Sequence, residues 1–132
     1  MPNKLAFSNP DTVHSPLGLY SHTAVVPAGT RLLFLSGQVG VRPDGSTGGT
    51  IAEQADQTFA NIISLLHAHR LEAPNIIKLT TFMVAGQDGE AVRNARRKHL
   101  GSHRPASTAV YVSQLVDPRW FVEVEAVAAF PG

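Results

Sequence analysis

The sequence predicts an α+β fold: one mixed sheet of about six strands with two helices layered on a single face. Two observations carry this. Segments with helical periodicity, 50–70 and 90–101, alternate with short runs of β-formers in the rough order β-β-β-α-β-α-β-β. The closing run, "WFVEVEAVAAF" (120–130), alternates so that Trp120, Val122, Val124, Ala126, Ala128 and Phe130 form an unbroken apolar face. Two helices can cover one face of such a sheet, and this apolar side is expected beneath them. The other side, with Phe121, Glu123, Glu125, Val127 and Ala129, then looks into water or toward another subunit.

Each element has its own signal. "SHTAVV" (21–26) and "RLLFLSGQVGV" (31–41) read as strands, paired as a hairpin across "PAGT" and followed by the glycine-rich turn "RPDGSTGG". "TIAEQADQTFANIISLLHAHR" is the clearest helix: Ile51, Ala55, Phe59, Ile62 and Leu66 follow the 3.6-residue period, and Thr50 with Glu53 supplies a capping box. After the break at Pro74, "NIIKLTTFMV" (75–84) is a strand. "EAVRNARRKHLG" (90–101) is the second helix, with cations toward its end and Gly101 just past it. "STAVYV" (107–112) and 120–130 complete the sheet.

With 132 residues and no internal repeat or linker, residues 1–132 form one domain, long enough to bury roughly two-thirds of its unfolded surface. Only 16% of residues are charged, which leaves apolar surface for a subunit contact to cover. A net charge of +1 gives no electrostatic case for a membrane or nucleic-acid partner. The absence of cysteine removes disulfides, thiolate metal sites and a thiol nucleophile. No apolar run approaches the ~20 residues of a membrane span. "MPNKLAFSNP" lacks the apolar core of a signal peptide, so a cytoplasmic location is expected.

Glu123 is the first candidate for chemistry. Phe121 and Val127 share its strand face, and a carboxylate in a partly apolar cleft is raised in pKa by desolvation, which suits acid–base work. Glu125 is expected to face solvent or to pair with a cation. Six histidines invite a metal, but His67 and His69 point to different sides of a helix, His99 and His103 straddle Gly101, and no H-E-x-x-H occurs; no metal is expected. Ser36 and Ser107 lack the setting of a nucleophilic serine. "GSTGGT" lacks the lysine of a phosphate-binding loop and reads as a loop with its helix cap. "RNARRKH" (93–99) is basic, but a solvated helix face explains it without RNA, because no aromatic residues interleave with the cations.

Taken in order, "GLYSHTAVV", "FLSGQVGV", "QADQTFANI", "IIKLTTFMV", "HRPASTAVYV" and "FVEVEAVA" resemble the Rid superfamily (reactive intermediate deaminases, also called YjgF-like) across residues 15 to 130 or so. The resemblance implies a chorismate-mutase-like subunit assembled as a homotrimer around a barrel-like interior, with small-molecule clefts between subunits. It implies cofactor-free hydrolysis of an enamine or imine to a ketone and ammonia. Glu123 matches the glutamate that handles water, Tyr20 the tyrosine of the G-x-Y segment, and Ser36 and Gly37 the strand end at the cleft. The backbone around Ser107 and Thr108 would shape the pocket.

One departure stands out. Active imino-acid deaminases of the family read P-A-R after the second helix, the arginine clamping the substrate carboxylate; here Ser107 takes its place. A serine cannot supply a bidentate cationic fork, and losing one costs roughly 2–5 kcal/mol of carboxylate binding. Arg93 falls where many members carry asparagine and offers a relocated cation. The expected function is thus a trimeric Rid-like hydrolase of imines or enamines, its substrate not of necessity a 2-imino acid, with Ser107→Arg expected to raise imino-acid turnover. The alternatives are a noncatalytic metabolite-binding trimer and, last, an endoribonuclease-like activity; no cofactor is expected.

Overall fold

The computed structural model describes residues 4–132; residues 1–3, the start of the segment read for a leader, lie outside it. In chain order the elements are β1 (Ala6–Ser8), β2 (Thr23–Val25), β3 (Leu32–Val39), α1 (Ile51–Ala68), a 3₁₀ turn (Ala73–Asn75), β4 (Ile76–Val84), α2 (Gly89–Leu100), β5 (Ala106–Val112) and β6 (Val122–Ala129). The order of strands in the main sheet is β3-β6-β4-β5, with β4 and β5 parallel and the remaining pairs antiparallel. The parallel pair is joined through α2, the crossover that parallel strands require.

Six strands are present among the described residues, but not in one sheet. β1 and β2 form a separate two-stranded ribbon, and an isolated bridge from Ser21, just before β2, to Ala106 joins this region to the main sheet. The expected hairpin of 21–26 with 31–41 is therefore corrected. The turn exists, held by the Thr30 hydroxyl donating to the Pro27 carbonyl at 2.6 Å with Gly29 at φ 79°. It redirects the chain rather than pairing its arms. β2 is only three residues long, whereas β6 offers β3 a partner along almost its whole length, from Leu32–Ala129 to Val39–Glu123.

The core forms where the helical stripe meets the strand alternation. Ala55, Phe59, Ile62 and Leu66 of α1 are buried against Val122, Val124, Ala126 and Ala128 of β6, with Ile51 half-buried at the end of the stripe. Each large side chain removed from water there contributes about 1.5–3 kcal/mol. α1 starts at Thr50, whose hydroxyl accepts the Glu53 N–H at 3.2 Å, and α2 starts at Asp88, whose carboxylate accepts the Glu90 N–H at 2.9 Å. Gly101 ends α2 at φ 61°.

Gln54 fixes where β6 begins. Its side-chain amide donates to the Gly48 and Arg119 carbonyls, both at 2.9 Å, and its Oε1 accepts the Phe121 N–H at 2.8 Å. A buried amide with three good bonds clamps the glycine-rich loop and the 117–121 turn onto α1. It sets the pleat on which Glu123 stands.

Candidate functional site

The residues singled out in the sequence fall into two groups, on opposite faces of the main sheet. β4 shows the division most simply: Thr81 faces the helices, while its neighbours Thr80 and Phe82 lie opposite Glu125 and Glu123 on the open face.

The first group surrounds a cavity of about 450 Å³ between α2, β5 and the segment 17–20. Tyr20, Arg93 and Ser107 line it, together with Arg96, Met83 and Leu17. Tyr20 closes the segment on itself, its hydroxyl accepting the Leu17 N–H at 3.1 Å. Ser21 then moors the segment to the start of β5, its hydroxyl donating to the Arg104 carbonyl at 2.5 Å and its N–H to the Pro105 carbonyl at 3.0 Å. Arg93 reaches the rim but donates through Nε and one terminal nitrogen to the Glu90 carboxylate, at 3.1 and 2.9 Å. This pairing holds the Glu90 carboxyl below its usual range.

Arg96 was not anticipated from the sequence. It donates to the Ser107 hydroxyl at 3.0 Å and to the Leu19 carbonyl, bridging helix, strand and segment. Burial, with a smaller contribution from Arg104 nearby, brings its pKa down to about 10. The signal was available: Val92, Arg96 and Leu100 stand four apart on α2, so Arg96 sits on the core-facing stripe. A cation on an apolar stripe asks for a partner.

The second group lies on the open face around a bulge in β3, where the register with β6 shifts between Leu35 and Gln38. Ser36 and Gly37 occupy the bulge and are exposed. Glu123 is half-buried over them; a Cβ at Gly37 would come within 2.0 Å of Glu123 Oε2, so only glycine leaves the carboxylate this position. No hydrogen bond or ion pair to the Glu123 carboxylate is formed among the described residues. Glu125, further along the same face, is exposed. Thr108 also belongs here: it alternates away from Ser107 and accepts from Lys78 Nζ at 2.8 Å. Around these polar groups Phe34 is 72% exposed and Val110 is 41% exposed.

This arrangement offers two chemical halves. One is an anion-ready cavity with a phenol, a hydroxyl and a desolvated guanidinium. The other is a carboxylate without a hydrogen-bond or ion-pair partner among the described residues, standing over the backbone of Gly37. Among the described residues no group of three or more metal-ligating side chains occurs. His99 instead contacts Asp56 at 2.8 Å, His67 contacts Glu72 at 3.3 Å, and His103 contacts the Ile76 carbonyl at 2.7 Å. The basic stretch of α2 is largely engaged too, Arg97 with Glu90 and Lys98 with Asp56. No helix among the described residues is long and apolar enough to cross a membrane.

The profile of the endoribonuclease L-PSP family matches residues 12–130. Protein HMF1 of Saccharomyces cerevisiae is 33% identical over 114 residues, 83% of either chain. The human 2-iminobutanoate/2-iminopropanoate deaminase is 30% identical over 115 residues, covering 85% of this chain and 80% of the relative. Among solved structures, a putative endoribonuclease of Thermotoga maritima superposes with a TM-score of 0.71 at 29% identity, over 96% of this chain and 98% of its own. YyfB of Yersinia pestis, a Rid-family protein of unknown function, superposes with a TM-score of 0.85 over 96% of this chain and 98% of its own; at 23% identity that likeness speaks to fold.

Proposed function

The chain belongs to the endoribonuclease L-PSP family, the Rid or YjgF-like superfamily, and from that premise we propose that it hydrolyses imines or enamines in a cleft between the subunits of a homotrimer. One observation carries the reading. The two chemical halves lie on opposite faces of one sheet, so a ligand in the cavity beside Ser107 cannot meet Glu123 of the same chain. A neighbouring copy can supply it. The exposed Phe34 and Val110 on the same open face as Glu123 support an interface there, since large apolar groups in open water are what a subunit contact buries.

The chemistry needs no cofactor. A protonated imine carbon is already electrophilic. Glu123 takes a proton from water as the oxygen bonds to that carbon, giving a carbinolamine. It then passes this proton to the amine nitrogen; the C–N bond breaks, and Glu123, again a carboxylate, takes the remaining hydroxyl proton as the carbonyl forms. Ammonia and a ketone result, with the water oxygen retained in the ketone. Gly37 leaves the carboxylate room to swing between oxygen and nitrogen. Tyr20, Ser107 and the backbone at Thr108 would hold the substrate body from the other subunit.

A second reading, a trimer that binds a metabolite without turning it over, is favoured by Ser107, where active relatives of the resembling pattern carry arginine. Ammonia release from a panel of imines and enamines separates the two. Glu123→Gln should keep the fold and lower kcat by about 10²–10⁴. Equal turnover in that variant, or a monomer by light scattering at micromolar concentration, would sink the intersubunit hydrolase.

A further inference from the structure

The bulge that brings Gly37 under Glu123 leaves the end of β3 weakly held by the sheet. Two register pairs, Gln38 with Val124 and Val39 with Glu123, follow the bulge before β3 ends. So short a ladder can slip, and a slip of one residue carries every side chain to the other face. β3 is also an edge strand, with β6 as its one neighbour in the main sheet. The register at Glu123 needs a hold from outside the sheet.

α1 supplies one. Gln54, Gln57 and Asn61 stand at i, i+3 and i+7 and share one side of the helix. The Asn61 side-chain nitrogen donates to the carbonyls of Val39 and Val41, at 3.2 and 3.0 Å. Val39 is the residue opposite Glu123. Gln57 donates to the Asn61 Oδ1 at 2.7 Å, which turns the Asn61 nitrogen toward β3. Between the two gripped carbonyls lies Gly40, packed so closely on the Gln54 backbone that a Cβ there would collide with it. The amide uses both of its hydrogens and its oxygen, and a carboxylate of the same shape has no hydrogen to give.

We propose that Asn61, aimed by Gln57, is a positioning residue for Glu123: from the helix layer it locks β3 just past the bulge, and so keeps Gly37 beneath the carboxylate. The inference rests on the hydrolase reading above for what Glu123 does, and adds the residues that set where it stands. Phe59, Ile62 and Leu66 anchor α1 in the core without help from Asn61. The amide pair therefore answers to the site rather than to the fold. A base that must reach first a water and then a nitrogen tolerates little displacement, since a misplacement of about 1 Å can cost about 10²-fold in rate.

The test joins nuclear magnetic resonance to kinetics. Glu123 Cγ comes within 3.0 Å of where a Cβ on Gly37 would stand, so the wild type should show a nuclear Overhauser contact between Gly37 Hα and the Glu123 side chain. Asn61→Asp, isosteric but without donors, should lose that contact. With the imine that the wild type hydrolyses fastest, its kcat should fall by about 10- to 10²-fold while KM stays within about twofold. Gln57→Glu should do the same, because a carboxylate there draws the Asn61 nitrogen away from β3. Leu65→Ala, which loosens the same helix elsewhere, should lower the melting temperature yet keep both the contact and kcat.

No Overhauser contact in the wild type, or one that survives Asn61→Asp with kcat unchanged, overturns the proposal. Equal losses in Leu65→Ala overturn it too, because they reduce Asn61 to general stability. If the wild type hydrolyses no imine, the hydrolase reading falls and the Overhauser contact alone decides the positioning. Should Asn61→Asp fail to fold by circular dichroism, the wild type and Gln57→Glu still decide.

Discussion

On the helix-covered face of the main sheet, Leu79, Val122, Val124 and Ala128 are shut away under α1 and α2, whereas on the opposite face Phe34 stands 72% exposed and Glu123 finds no partner among the described residues. Both faces belong to the same four strands and were shaped by the same alternation. The covered face is complete within one chain, so its residues answer to packing. The open face holds apolar surface and an unengaged carboxylate, so its residues answer to something the single chain does not contain. Substitutions on the two faces should therefore fail in different ways.

The largest expected effect is on the covered side. Ile62→Ala should lower unfolding stability by about 2–5 kcal/mol, read by urea titration, because the fully buried side chain leaves a cavity. Phe34→Glu should leave the subunit's circular dichroism unchanged and instead reduce the mass seen by light scattering. If Phe34→Glu unfolds the chain as readily as Ile62→Ala, the contrast between the faces is wrong.

Two glycines close to one another sharpen the point. A Cβ at Gly40 would meet the Gln54 Cα at 2.6 Å and its carbonyl oxygen at 2.8 Å, both backbone atoms that cannot yield. Gly40→Ala should cost about 1–3 kcal/mol in a thermal or urea melt. At Gly37 the obstacle is the end of the Glu123 side chain, which can turn away. Gly37→Ala should shift stability by less than about 1 kcal/mol. Its ammonia release should nonetheless fall, because the displaced carboxylate is the proposed base. Loss of fold at Gly37 with none at Gly40 would reverse the assignment of faces.

The smallest effect belongs to the outer helix surface. Hydrogen bonds from Lys98 and then His99 hold the Asp56 carboxyl below its ordinary 3.8. A depressed carboxyl stabilises the fold above its unfolded pKa and loses that contribution as pH falls through the folded value. Asp56→Asn should thus cost about 0.5 kcal/mol near neutral pH, a solvent-screened amount, with the difference from wild type closing below about pH 4. A difference that persisted unchanged into acid would mean the pair contributes through packing.

How much of this was legible depended on whether the signal was local. The faces of 120–130 were readable because a period of two leaves no ambiguity once one side is uniformly apolar, and Val122, Val124, Ala126 and Ala128 are buried as expected. The Thr50–Glu53 cap and the Phe59–Ile62–Leu66 stripe were readable for the same reason. The partner of β2 was not, since a three-residue strand carries no preference strong enough to name a neighbour. The split of the candidate residues was not either: Ser107 and Thr108 are adjacent, yet the pleat sends one to the cavity and the other to Lys78. Arg93 drew attention by its alignment with a family position. Arg96, three residues later, mattered more because the crossover from β4 to β5 turns it inward, and that is a property of topology.

The mooring of the 17–22 segment has a consequence for how the molecule assembles itself. Ser21 meets Arg104 across 83 positions of sequence, and Arg96 meets Leu19 across 77. Contacts so distant along the chain pay a large loop-closure entropy and cannot form until β5 has docked beside β4. The outer wall of the cavity is accordingly a late acquisition in folding. It is also an early loss, because few bonds hold it and none of them belongs to the core. In native-state hydrogen exchange the Ser21 amide should open well before that of Leu66, releasing the pocket while the sheet stays whole.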